Sequence, residues 1–172
     1  RANYRSFPWR ETRDPYRLLI AEVFLHRTQA KQVVAVYQAF VRQYPDAESL
    51  AEADQEALTE LLQPLGLFWR IELIRKMAGA LMEEHGGKVP ESREALEALP
   101  GVGPYIAGSV RCFGFGYPDA IVDTNVMRVI TRVLGIPFRD SLRRNRGFQR
   151  LAGRLVDPEE PRAYNFAMLD LA

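Results

Sequence analysis

The run Leu99-Pro100-Gly101-Val102-Gly103-Pro104-Tyr105 constrains this chain more than any other segment. Two glycines two positions apart, with a helical pattern on either side, suit a very tight hairpin between two helices. Glycine admits positive φ and lets another backbone approach closely. The second helix then begins with bare N–H groups aimed outward, and such a terminus holds an anion, typically a phosphate, without any side chain. Taken alone, the segment also fits a C-cap glycine followed by a turn. Further on, Val122-Asp123-Thr124-Asn125 places an acidic residue at the start of a later helix, facing the same place. Together the two segments read as a hairpin that grips a nucleic-acid backbone beside a carboxylate.

Composition sets bounds around that reading. A chain of 172 residues fits one or two small domains with a real core. No apolar run approaches the roughly 20 residues that cross a bilayer, and no secretory n-region and h-region opens the sequence. A membrane partner is therefore not expected, and a cytoplasmic, nucleoid-associated protein is. The formal net charge is only +1, but the cations are 20 Arg against 3 Lys. Arginine makes planar, bidentate contacts with phosphates and base edges. Arg139, Arg143, Arg144, Arg146, Arg150 and Arg154 cluster near the C-terminal end, as one basic face on a phosphate backbone or as a solvated face paired with acidic neighbours. Cys112 is the only cysteine and reads as a small buried hydrophobe. Neither an internal disulfide nor a metal site of Cys and His is expected, since His26 and His85 are the only histidines.

The periodicity predicts an all-α chain without a convincing strand. Helices are expected over 15–28, 30–43, 47–53, 54–63, 68–85, 92–99 with Ser92 as N-cap, 103–115, 124–134, 142–156 and 161–171. Pro64-Leu65-Gly66 and Gly86-Gly87 are the clearest breaks. Phe7, Trp9, Tyr16 and Trp69 are read as core.

The hairpin, the VDTN segment and several further motifs, in this order, resemble the helix-hairpin-helix DNA glycosylase superfamily. Those motifs are Phe7-Pro8-Trp9-Arg10, Asp14-Pro15-Tyr16, the run Ala21–Gln29, Leu65-Gly66-Leu67, Gly86–Pro90 and Asn165 to Asp170. That superfamily includes endonuclease III, adenine DNA glycosylases and thymine/uracil mismatch glycosylases. The resemblance covers nearly the whole chain. It implies two helical lobes with a DNA-binding cleft between them: residues 16–134 as a central domain, and residues 1–15 with 135–172 as a second lobe.

The resemblance also assigns roles. Asp123 matches the aspartate that stabilises positive charge developing on the sugar and orients the attacking water; by itself it also suits an N-cap. Glu22 lies between Ala21 and Val23 on an apolar helix, where burial raises a carboxyl pKa and readies a proton for a departing base. It matches the general acid of adenine DNA glycosylases. Tyr105 stands where bifunctional relatives carry a Schiff-base lysine. Tyrosine cannot form that adduct, so the implied enzyme is monofunctional. Leu67 replaces the tyrosine typical of adenine glycosylases and implies an apolar wedge in the base stack. His26, Arg27 and Gln29 fall on the stack-invading loop, with Arg27 set to contact the orphan guanine. Gly101, Val102 and Gly103 are the DNA-binding residues of the hairpin, the backbone N–H groups of Gly101, Gly103 and Tyr105 supply the phosphate grip, and the hairpin carbonyls are expected to hold a monovalent cation. Asn165 and Asp170 are read as structural, tying the lobes together.

Most relatives continue with four cysteines that hold a [4Fe-4S] cluster. This sequence stops where that loop would begin, so a cluster is expected only if the native chain runs past Ala172. The reading is a monofunctional, monomeric mismatch glycosylase acting on double-stranded DNA, with thymine or uracil opposite guanine as target. The alternatives are an adenine DNA glycosylase acting opposite 8-oxoguanine, disfavoured by Leu67 and by the lack of a second recognition domain in this sequence, and a non-catalytic DNA-binding module.

Overall fold

A computed structural model describes residues 5–66 and 68–171, and among them every regular element is helical. The helices are α1 (Pro8–Glu11), α2 (Pro15–Leu25), α3 (Ala30–Gln43), α4 (Ala47–Ala51), α5 (Gln55–Leu62), α6 (Phe68–His85), α7 (Arg93–Ala98), α8 (Pro104–Val110), α9 (Thr124–Leu134), α10 (Arg146–Leu155) and α11 (Pro161–Leu171). Short 3₁₀ turns cover Gln63–Leu65 and Asp140–Arg144, and a single π turn, Arg111–Phe115, continues α8.

Local chemistry sets these boundaries. Asp14 caps α2, accepting from Tyr16 N at 2.9 Å, with Pro15 at the first helical position. Ser92 caps α7 by accepting from Ala95 N at 3.1 Å, as expected. Gly87, at φ 77°, closes α6 through its N–H to Leu81 O at 2.8 Å. The helix expected over 15–28 ends earlier, at Leu25, because Arg27 turns into the left-handed region at φ 64°. It is the only non-glycine among the described residues to do so, and the bend frees residues 26–29 as a loop.

The α2 helix is the centre of the molecule. Leu18 to Phe24 are all buried, against α3, α8 and the π turn. The largest apolar cluster runs from Trp9 through α2–α6 to Val110. A second joins Val122, Val126, Met127 and Ile130 to Phe148 and Ala152 of α10. A third bridges the two, with Leu18, Cys112, Phe113, Ile121 and Phe166. Polar ties reinforce the bridge. Asn165, 2% exposed, donates to Pro161 O (2.9 Å) and Asp119 O (3.0 Å) and accepts from Ile121 N (3.1 Å). Asp170 takes both terminal nitrogens of Arg10, at 2.7 and 2.8 Å. Trp9 and Tyr16 are core, and Phe7 stacks on Trp9 at a centroid distance of 4.9 Å. Trp69 is a correction: it is 58% exposed and faces the cleft described below, because the buried side of α6 at this point is carried by its neighbours Arg70 and Ile71.

Candidate active site and nucleic-acid interface

A cleft of about 1450 Å³ opens between the hairpin, the end of α2, the start of α9 and the 3₁₀ turn before α10. The hairpin supplies Gly101, Gly103, Pro104 and Tyr105; α2 and its loop supply Glu22, His26, Arg27 and Thr28. Asp123, Thr124 and Asn125 stand opposite, and Arg143, Arg144, Gln149 and Arg150 line the far side. The C-terminal arginine run is therefore divided, since Arg139, Arg146 and Arg154 do not line the cleft.

The two hairpin glycines differ. Gly101 has φ 81°, and a side chain there would overlap Leu73, so both backbone and packing require glycine. Gly103 is extended, at φ −97° and ψ 178°, with nothing within 4 Å of where a Cβ would sit. No demand of the fold explains its glycine; the empty space opens on the cleft side. The N-terminus of α8 carries no side-chain cap, which leaves the first-turn donors for an outside partner. Val102 turns its side chain into the main core, with its N–H on Leu99 O at 3.1 Å. Its N–H is used inside the hairpin, so of the groups expected to bind DNA at Val102 only the carbonyl is left.

Glu22 is 9% exposed, and burial pushes its carboxyl up to about 7, with the Asp123 charge adding to the rise. Ser109 lies beside it and pulls the other way. The Tyr105 phenol is held well above its usual range by burial, then by the charges of Glu22 and Asp123, and stays protonated. Asp123 caps α9, accepting from Val126 N at 2.7 Å and from Asn125 Nδ2 at 3.1 Å. The loop before it is pinned by Asp119, which takes Arg111 Nε at 2.6 Å and Arg93 at 3.0 Å.

The loop after α2 is held from beneath. The Arg70 guanidinium, 1% exposed, donates to Val23 O at 2.7 Å and Phe24 O at 3.3 Å, and meets His26 Nδ1 at 3.4 Å. A cation at a helix C-terminus satisfies its last carbonyls and complements the dipole. Burial, then Arg70, Arg27 and Arg143, lowers the His26 pKa. A neutral ring receiving a guanidinium proton at Nδ1 carries its own proton on Nε2. Gln29 occupies the N-cap of α3, exposed and off the cleft wall. Leu67 lies outside the described residues.

Arg70 and Asn125 line the cleft, and Ser109 stands buried beside Glu22, without a role in the sequence reading, and Trp69 lines the cleft although its expected place is the core. Arg70 alone leaves a detectable signal, a cation followed by Ile71 and Ile74 on the buried side of a helix. For the cluster, Cys112 is the only cysteine, fully buried, and its thiol is pushed up to about 11 by burial. A [4Fe-4S] cluster needs several thiolates, so these residues do not fit one. Among the described residues no group of three or more His, Cys, Asp or Glu gathers around a metal position. No helix among them is long and apolar enough to cross a membrane.

Comparison with known proteins agrees with this geometry. The model of the family described as "HhH-GPD superfamily base excision DNA repair protein" matches residues 20–153. A thymine-DNA glycosylase of Aeropyrum pernix is 38% identical over 98% of this chain and 77% of its own length. A thymine/uracil-DNA glycosylase of Pyrobaculum aerophilum is 39% identical, with the same coverage of both. The solved structure of a thermostable thymine-DNA glycosylase superposes with a TM-score of 0.92 at 34% identity, covering 97% of this chain and 77% of that one.

Proposed function

The chain belongs to the HhH-GPD superfamily of base excision DNA repair proteins, and on that premise we propose that it is a monofunctional mismatch DNA glycosylase, hydrolysing the N-glycosidic bond of thymine or uracil opposite guanine. The observation that carries this reading is the meeting of Glu22, Tyr105 and Asp123 in one cleft, beside the uncapped start of α8.

The hairpin N–H groups grip a phosphate and position the duplex without reading its sequence. The hairpin carbonyls would hold the monovalent cation, adding positive charge beside that phosphate. Arg27 occupies the gap left when the target nucleotide leaves the stack, and the arginines ahead of and along α10 neutralise the backbone. A Glu22 carboxyl titrating near 7 is protonated in a large share of molecules at neutral pH. It passes that proton to the departing base as the bond from C1′ to the base nitrogen breaks. The Asp123 carboxylate stabilises the oxocarbenium charge and orients water. The water oxygen bonds to C1′, and its proton returns to Glu22. The products are free base and an abasic site. A protonated phenol at Tyr105 offers no amine, so the strand stays intact.

The test is a single-turnover panel of labelled duplexes carrying G:T, G:U, A:8-oxoguanine and G:C. Strand breaks at T or U that appear only after alkali are the expected result. Breaks at A would move the protein to the adenine class. Silence on all four with tight duplex binding would support a non-catalytic binding module instead.

A further inference from the structure

Ser109 stands four residues after Tyr105 on α8, so both project from the same face of that helix, toward α2 and Glu22. Its side chain is 0% exposed. A hydroxyl inside a helix ordinarily settles on the carbonyl four residues back. Thr59 does so, donating to Gln55 O at 2.7 Å, and Thr131 does so, donating to Met127 O at 2.8 Å. Ser109 does not; its Oγ is buried and makes no hydrogen bond of good geometry. It nevertheless lies close enough to the Glu22 carboxyl and the Tyr105 phenol to act on both. An alanine would fill almost the same volume with no polar atom left unsatisfied, so packing does not account for the oxygen.

We infer that Ser109 is a positioning residue for Glu22, its hydroxyl being the donor that turns onto the carboxylate once Glu22 has released its proton. The inference rests on the reading of Glu22 as the proton donor. The titratable groups facing that carboxyl are Tyr105 from α8 and Asp123 from the start of α9. Asp123 opposes the ionised form of Glu22, and a phenol that stays protonated adds no charge. Ser109 is the neutral donor on this wall that favours the ionised form. It keeps the carboxylate aimed at the departing base between release of the proton and its recovery from water.

The experiment titrates the Glu22 carboxyl in free protein carrying ¹³C-labelled glutamate, the resonance being assigned by its loss in Glu22→Gln. Ser109→Ala removes one oxygen, and thermal unfolding confirms that it folds. The expected result is a Glu22 midpoint roughly one pH unit higher in Ser109→Ala. An unchanged midpoint overturns the inference. The second readout is the single-turnover rate on a G:T duplex from pH 5.5 to 9. The high-pH limb moves upward with the titration midpoint if Ser109 positions Glu22. A lower plateau with the limb in place marks a packing role and overturns the inference. Glu22→Gln separates the two levels. If it retains the wild-type pH profile, the proton-donor reading fails, and the titration alone decides whether Ser109 holds the carboxylate.

Discussion

Asp123 has two jobs that one substitution series can separate. Its Oδ1 accepts from Val126 N at 2.7 Å, which makes it the N-cap of α9, and its Oδ2 accepts from Asn125 at 3.1 Å. Serine at this position keeps a capping oxygen and removes the charge; alanine removes both. Loss of an N-cap costs about 1 kcal/mol, which at this chain length lowers the melting temperature by roughly 2–4 °C. Asp123→Ser is therefore expected to melt within a degree or so of wild type, and Asp123→Ala to melt measurably lower. Catalysis orders the variants differently. A carboxylate set against developing positive charge in a partly dry cleft contributes on the order of 10²–10³ in rate. Both variants should lose that factor alike, since neither carries the charge. The assay is single-turnover cleavage of a G:T duplex read after alkali, with duplex affinity from fluorescence anisotropy to show that binding persists. If Asp123→Ser cleaves within tenfold of wild type, Asp123 is a helix cap and no more, and the mechanism above is wrong.

The two hairpin glycines should respond in opposite ways. Gly101→Ala combines a left-handed φ of 81° with overlap on Leu73 and should cost at least about 1 kcal/mol of stability by thermal or urea unfolding. Gly103→Ala, extended and with open space, should leave stability within about 0.5 kcal/mol while weakening duplex binding; a destabilised Gly103→Ala with normal affinity would contradict the phosphate grip. Tyr105→Lys places an amine where the cleft meets the sugar, and borohydride should trap a covalent protein–DNA adduct that wild type does not form. Glu22 makes stability depend on pH. Its folded pKa is raised from 4.5 to about 7, so its favourable contribution is complete below about pH 4.5 and is lost as pH rises through 7. A gap of that size corresponds to about 3 kcal/mol, so Glu22→Gln should be the more stable protein at pH 8 and lose the advantage by pH 4.5; parallel stability curves would refute a buried, neutral Glu22.

The elements that the sequence made legible are those set by local chemistry. Ser92, Gly86-Gly87, the hairpin and the start of α9 all stand where caps and turn residues put them. The long-range choices were not legible. Residues 26–28 continue a helical pattern, and nothing nearby shows that Arg70, over forty positions away, terminates the helix by taking Val23 O and Phe24 O. Trp69 is expected in the core and stands exposed, because hydrophobicity favours burying the indole while the pairing of Arg70 with the end of α2 turns the other side of α6 inward. The π turn at Arg111–Phe115 looks helical in sequence and differs only in hydrogen-bond register, with Gly116 N reaching back five residues to Arg111 O. In the candidate site, Glu22 and Asp123 stood out because a carboxylate in an apolar run and an acid after a glycine hairpin are each anomalous. Ser109 did not, because a serine in a helix is ordinary until its missing partner is seen.

The distribution of local cost gives an independent argument for where the chemistry sits. On one part of the cleft wall, where Arg10, Arg93 and Asp119 lie, buried charge is compensated. Arg10 and Asp170 form a two-point ion pair, and Asp119 collects two guanidinium groups. Around Glu22 and the hairpin the opposite holds. Glu22 is buried with no cation paired to it among the described residues, the Ser109 hydroxyl beside it lacks a partner, Arg27 is left-handed without being glycine, and α8 begins without a side-chain cap. Each of these lowers stability, and each has a simple apolar, capping or conformational replacement that would raise it. A chain that leaves four such features in and beside one cleft is arranged there for something other than its own stability: a phosphate for the α8 terminus, a displaced base for Arg27, and a proton in transit for Glu22 and Ser109.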